Sequence, residues 1–153
     1  MEHQESVTIL LVEDDPGHAV LIEKNLRRGG IANTIVAVND GQKAVDFLLK
    51  REDHQSGVHP APLVILLDLN LPVLDGYQVL KIIKNDERTR QIPVIILTTT
   101  DNPAEVERCY ELGCNVYVTK PVEYEAFSEA IQNLGLLLSI IKVPKKEKGR
   151  FLV

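Results

Sequence analysis

The chain has 153 residues, 44% hydrophobic and 25% charged, which is one domain's length with enough apolar material for a core. A formal net charge of −5 argues against bulk nucleic-acid binding, and no apolar run approaches the roughly 18 residues that span a bilayer. The opening MEHQESVTILLVEDD carries acids where a secretory leader carries basic residues, so a cytoplasmic protein without membrane insertion is expected.

Short apolar runs alternate with amphipathic segments along the chain. Val7–Val12 predicts a buried strand, and Pro16–Arg28 a helix with Ala19, Ile22 and Leu26 at helical spacing. Thr34–Val38 is a second strand, after which Asn39-Asp40-Gly41 opens a helix holding Ala44, Phe47 and Leu48. Arg51 to Pro62 mixes charge, Gly and Pro and predicts a helix end plus a loop. Leu63–Leu67 is the third strand and Asp75–Asn85 a helix with Val79, Leu80, Ile82 and Ile83 inward. Ile92–Leu97 is the fourth strand, followed by a helix over Pro103–Leu112 that Gly113 ends. Val116–Thr119 is the last strand and Tyr124–Lys142 the last helix. Near-continuous Val/Ile/Leu strands between helices imply a parallel sheet covered on both faces, doubly wound by right-handed crossovers. We assign 1–142 to this domain and 143–153 to a basic, solvated tail.

In such a sheet the functional crevice lies outside the carboxyl ends of the strands. Strand one ends in Glu13-Asp14-Asp15, strand three in Asp68, strand four in Thr98-Thr99-Thr100-Asp101 and strand five in Lys120-Pro121. If strands one and three are neighbours, Glu13, Asp14 and Asp68 converge and repel one another unless a cation is present. Carboxylate oxygens suit a hard divalent ion such as Mg2+. With an ammonium from Lys120 and a hydroxyl from Thr98, the set fits phosphoryl transfer onto Asp68. Each feature has a plainer reading as a loop, a turn or a strand end; the ordered occurrence of all four favours a site. Cys109 and Cys114 have no metal or redox spacing and are expected to stay reduced, and His3, His18, His54 and His59 are scattered and expected to be solvated.

These residues resemble the receiver domain of two-component response regulators over roughly Val7 to Ile141. The resemblance implies a flavodoxin-like (βα)5 fold with strand order 2-1-3-4-5. It also implies that Asp68 accepts a phosphoryl group from a sensor histidine kinase. Mg2+ would be bound by Asp14, Asp68 and the backbone carbonyl of Asn70, with Glu13 acting through water. Thr98 and Lys120 would hold the phosphoryl oxygens, Thr98 and Tyr117 would form the switch, and the Lys120–Pro121 bond would be cis. The pattern DLNLP, the insertion after the second helix, LTTT at strand four and no output domain within these residues resemble the single-domain regulators paired with bacterial phytochrome kinases. Two positions depart from the common receiver pattern. Glu13 stands where many receivers have Asp, and Thr99 fills a place usually held by Ala or Gly, which should narrow access to the phosphorylation site.

Phosphorylation adds charge and acceptor oxygens at one point. The expected response is that Thr98 moves toward the phosphate and Tyr117 fills the vacated space, altering the surface of helix four, strand five and helix five. In the last helix Phe127, Ile131, Leu134, Leu138 and Ile141 form the inward stripe, while Leu136, Leu137 and Ile140 fall off it. They are expected to form an interface, with a second copy or with the kinase; the alternative is that Phe151-Leu152-Val153 folds over them. Two other functions stay open. One is a receiver fold that binds partners without phosphorylation. The other is an aspartyl-phosphate phosphatase, disfavoured because Asn70 stands where such enzymes usually carry a second acid. Neither GxGxxG nor GxxxxGK[ST] occurs. No enzymatic turnover is expected beyond self-phosphorylation and dephosphorylation.

Overall fold

The computed structural model describes residues 8–52 and 63–140, with the backbone alone at 51–52, 140, 146–147 and 150–151. The elements run β1 (Thr8–Val12), α1 (Pro16–Arg28), β2 (Ile35–Val38), α2 (Gly41–Glu52), β3 (Leu63–Leu67), α3 (Gly76–Lys84), β4 (Val94–Thr98), α4 (Pro103–Leu112), β5 (Val116–Thr119) and α5 (Tyr124–Ile140). Two short strands follow, β6 (Lys146–Glu147) and β7 (Arg150–Phe151), paired antiparallel with each other. The first five strands form one parallel sheet in the order β2-β1-β3-β4-β5, as expected for the receiver fold.

Strand periodicity divides the core in two. Leu10 and Val12 of β1, Ile65 and Leu67 of β3, and Val94 and Ile96 of β4 point to one face, where α2, α3 and α4 cover them. Ile9, Leu11, Val64, Leu66, Ile95 and Leu97 point to the other, under Ile22 and Leu26 of α1 and Phe127, Ile131 and Leu138 of α5. All five positions of β3 are buried, which is why that strand reads as unbroken aliphatic residues.

The helix ends follow local chemistry. Asp15 caps α1 by accepting the His18 N–H at 3.1 Å, and Asp40 accepts the Lys43 N–H at 2.7 Å at the start of α2. Asp75 and Gln78 form a capping box on α3. Gly113 ends α4 with φ 108, where a side chain would be strained. Strand β4 begins at Val94 and not at Ile92. Ile92 N–H is spent on the Thr89 carbonyl, and Pro93 has no N–H for the ladder. Helix α2 runs through Glu52, so Arg51 and Glu52 are the helix end predicted at the start of that segment. Val7, residues 53–62, Ile141 and Lys142 lie outside the described residues. Among the described residues no helix is long and apolar enough to cross a membrane.

Candidate phosphoacceptor site

The sheet order reverses between β1 and β3, and the carboxyl ends of the central strands open there. Val12 pairs with Leu67, and the Asp68 N–H donates to the Val12 carbonyl at 3.1 Å, so Glu13-Asp14 and Asp68 sit side by side. Thr98 pairs with Thr119, and the Lys120 N–H donates to the Thr98 carbonyl at 2.6 Å, which brings Lys120 to the same rim.

Oxygens of Glu13, Asp14 and Asp68 lie within 4.8 Å of one another. Asp14 is exposed, whereas Glu13 and Asp68 are 3% and 7% exposed. Lys120, 4% exposed, places Nζ 2.5 Å from Glu13 Oε1 and 3.2 Å from Asp68 Oδ2. Burial explains the pairing, because an ammonium or a carboxylate alone at that depth costs several kcal/mol, of order 3–5 when one partner is removed. Desolvation pushes the Glu13 carboxyl above its ordinary 4.5, and the Lys120 ammonium offsets only part of that; the neighbouring Asp68 charge adds to the rise. Glu13 Oε2 also accepts the Asp15 N–H at 3.2 Å, and Asp68 Oδ1 the Asn70 N–H at 3.3 Å.

Three carboxylates therefore face one ammonium. The surplus of negative charge and the all-oxygen donor set suit a divalent cation of the magnesium kind. Beside them the Thr98 hydroxyl is fully buried and lacks a hydrogen-bond partner, the one such buried side-chain atom among the described residues. Leaving a donor so costs about 1–3 kcal/mol, which an arriving oxygen would recover.

Period two along the sheet puts Tyr117 on the same face as Thr98, because Tyr117 pairs with Ile96 and packs into the cluster beneath α3 and α4. Its ring is half-buried, and its hydroxyl donates to the Thr100 carbonyl at 2.5 Å. Burial raises the Tyr117 phenol to about 12. Tyr110 Oη accepts the Tyr117 N–H at 3.1 Å on the open edge of the sheet.

The loop behind Asp68 is tightly made. Gly76 donates to the Leu69 carbonyl at 2.9 Å, and a Cβ there would fall 2.4 Å from the Asp68 carbonyl oxygen and 2.5 Å from Leu69 Cα. Only glycine lets α3 approach the Asp68 backbone so closely. Val73 takes φ 71, with the Leu74 N–H closing on the Pro72 carbonyl at 2.8 Å, a γ-turn that strains a β-branched residue.

Two expectations need correction. The Lys120–Pro121 bond is trans, as is every peptide bond among the described residues, and trans is the form an X–Pro bond favours by about 0.5–1 kcal/mol. His18 is not solvated. It is half-buried, its ring centroid 5.9 Å from that of Phe127, with Nδ1 3.5 Å from Lys120 Nζ. No spacing signal marked it, since it depends on α1 and α5 meeting over the end of β5. His3, His54 and His59 lie outside the described residues. Both cysteines are free and buried, and burial raises their thiols, Cys109 to about 11.

Residues 9–132 match the family model described as "Response regulator receiver domain". The chain belongs to that family. Among solved structures, this receiver domain resembles a response regulator receiver domain from Rhodospirillum rubrum, with 50% identity, a TM-score of 0.84, and 92% of this chain and 99% of that one covered. It resembles the response regulator Rcp1, solved in its Mn2+-bound form, at 34% identity and TM-score 0.79 over 90% of this chain and 99% of that one. By sequence, Rcp1 of Synechocystis is 36% identical over 82% of this chain and 84% of its own length. A third likeness is to the phosphorylated cyanobacterial phytochrome response regulator RcpA, at 33% identity and TM-score 0.79 over 92% of this chain and 99% of that one. The receiver domain is thus related to phytochrome response regulators, and its acidic pocket is consistent with Mg2+ and an aspartyl phosphate.

Proposed function

We propose that this receiver domain accepts a phosphoryl group on Asp68 from the phosphohistidine of a sensor histidine kinase of the phytochrome type, and relays the signal through α4, β5 and α5. The observation that carries the reading is the buried Lys120 ammonium shared between Glu13 and Asp68 beside a hydroxyl without a partner. Support for the phytochrome pairing comes from the likeness to RcpA, and for the metal from the Mn2+-bound form of Rcp1.

An oxygen of the Asp68 carboxylate attacks phosphorus; the P–N bond breaks, and its electron pair returns to the imidazole nitrogen of the kinase. Lys120 pairs with the phosphoryl oxygens, and Thr98 donates its hydroxyl to one of them. Asp14, Asp68 and the Asn70 carbonyl would hold Mg2+, with Glu13 reaching it through water. Bound there, Mg2+ supplies positive charge opposite the oxygens on which charge builds. As Thr98 turns to the phosphate, Tyr117 settles into the space beside it and the α4–β5–α5 surface changes. Thr99, exposed beside Thr98, limits access of water to the phosphoryl group.

The receiver spans 1–142 and acts in the cytoplasm, promoting only its own phosphorylation and dephosphorylation, with 143–153 as a basic tail. Leu136 and Leu137, 59% and 52% exposed on α5, would pair two copies; the Ile140 side chain and the alternative cover of Phe151-Leu152-Val153 lie outside what is described. The test is intact mass spectrometry after incubation with acetyl phosphate and Mg2+. Wild type gains one phosphoryl mass and Asp68→Asn gains none; labelling of both at the same rate would refute the assignment.

A further inference from the structure

The proposed chemistry uses Lys120 but gives no part to the imidazole beside it. An ammonium has three N–H donors and no acceptor capacity. Lys120 has three acceptors around Nζ: Glu13 Oε1 at 2.5 Å, Asp68 Oδ2 at 3.2 Å and His18 Nδ1 at 3.5 Å. Because the lysine can only donate, the third contact is a hydrogen bond only when His18 Nδ1 keeps its lone pair and Nε2 carries the proton. The ring is held for this from two directions. The His18 backbone N–H donates to Asp15 Oδ1 at 3.1 Å, and the ring lies tilted by 47° with its centroid 5.9 Å from that of Phe127, itself buried against the core under α1 and α5.

We propose that His18 is a positioning residue for Lys120: its Nδ1 lone pair holds the third ammonium N–H and keeps the cation from collapsing onto Glu13. The two carboxylates pull unequally, since the Glu13 contact is the shorter by several tenths of an ångström. With Nδ1 gone, one N–H is left without a partner in a site 4% exposed, and the ammonium moves toward the stronger acceptor and away from Asp68. Phosphoryl transfer then starts from a lysine that must first be drawn back. Phe127 is apolar, so α5 offers no substitute acceptor at this contact.

This role rests on Asp68 being the phosphoacceptor, so the test has one arm that does not. In the first arm, wild type, His18→Leu and His18→Asn are phosphorylated with acetyl phosphate and Mg2+ and followed by intact mass. Leucine keeps the packing on Phe127 without an acceptor, whereas the asparagine amide oxygen can stand in for Nδ1. His18→Leu should react about fivefold more slowly, the effect of losing one weak acceptor on an ammonium, while His18→Asn stays within about twofold of wild type. Equal rates for wild type and His18→Leu, or equal impairment of both variants, would overturn the role. In the second arm, long-range 1H–15N correlation on the metal-free protein reads the ring tautomer. A bare Nδ1 with protonated Nε2, perturbed in Lys120→Met, supports the contact, and a protonated Nδ1 overturns it. Should wild type take no phosphoryl group at all, the reading of Asp68 fails, and the tautomer still decides whether His18 holds Lys120.

Discussion

Thr98 and Thr99 are neighbours with opposite surroundings. Thr98 is the last residue of β4 and fully buried, whereas Thr99 is already exposed at the mouth of the site. Removing the Thr99 methyl and hydroxyl widens the path for water without touching the buried hydroxyl. The phosphorylated Thr99→Ala variant should lose its phosphoryl group faster than wild type, by about threefold, as expected when excluded water is readmitted to a reactive centre. Decay rates followed by intact mass after removal of excess acetyl phosphate measure this, and equal rates would discard the access role. The convergence of Glu13, Asp14, Asp68 and Lys120 was legible in the sequence because each stands within two residues of a strand end, and neighbouring strand ends bring them together. His18 and Gly76 were not. The first depends on two helices crossing, and the second on a missing Cβ whose cost appears only when α3 lies against Asp68 and Leu69. The trans Lys120–Pro121 bond could not be read either, since an X–Pro pair permits both isomers.

At the scale of elements, α4 belongs to the surface proposed to relay the signal, and Tyr77 of α3 bonds to it. Tyr77 Oη donates to Glu105 Oε1 at 2.6 Å, and the Arg108 guanidinium carbon sits 4.0 Å from the centre of the same ring. Burial and the Glu105 carboxylate push the Tyr77 phenol above its ordinary 10, so it stays a donor at neutral pH. Tyr77→Phe keeps the ring under Arg108 and removes only the hydroxyl. It should cost about 1 kcal/mol in urea denaturation. If the tie restrains α4, amide exchange should also quicken in Pro103–Leu112 more than in α1; uniform protection in both would show that Tyr77 merely fills space. The limits of α1, β3, α4 and β5 agree with the sequence reading because Pro, Asn and Gly punctuate them or their apolar runs are unbroken. The start of β4 shifted where Pro93 blocked the ladder.

For the whole molecule, an acidic protein holds three carboxylates within 4.8 Å of one another, two of them paired to a single ammonium, and this arrangement ties folding stability to pH and to Mg2+. Because burial raises the Glu13 carboxyl above 4.5, the folded metal-free protein binds a proton there more readily than the unfolded chain does. Its stability therefore falls as pH rises from 4.5 through the folded-state value, the slope being set by the excess protons of the folded state. Mg2+ acts in the opposite sense. A proton on Glu13 removes one of the negative charges that attract the ion, so Mg2+ binding strengthens across the same window. Ligand that binds only the folded state stabilises it by about 2.7 kcal/mol at a hundred times its dissociation constant. Thermal unfolding with and without Mg2+ should accordingly show a gap in Tm that is small near 4.5 and widens toward neutrality. Asp14→Asn, at the exposed corner of the cluster, should abolish that gap at every pH while leaving the Lys120 ion pairs in place. A gap that is independent of pH, or equally large in Asp14→Asn, would mean that the ion binds elsewhere on the acidic surface and that these carboxylates do not act as one site.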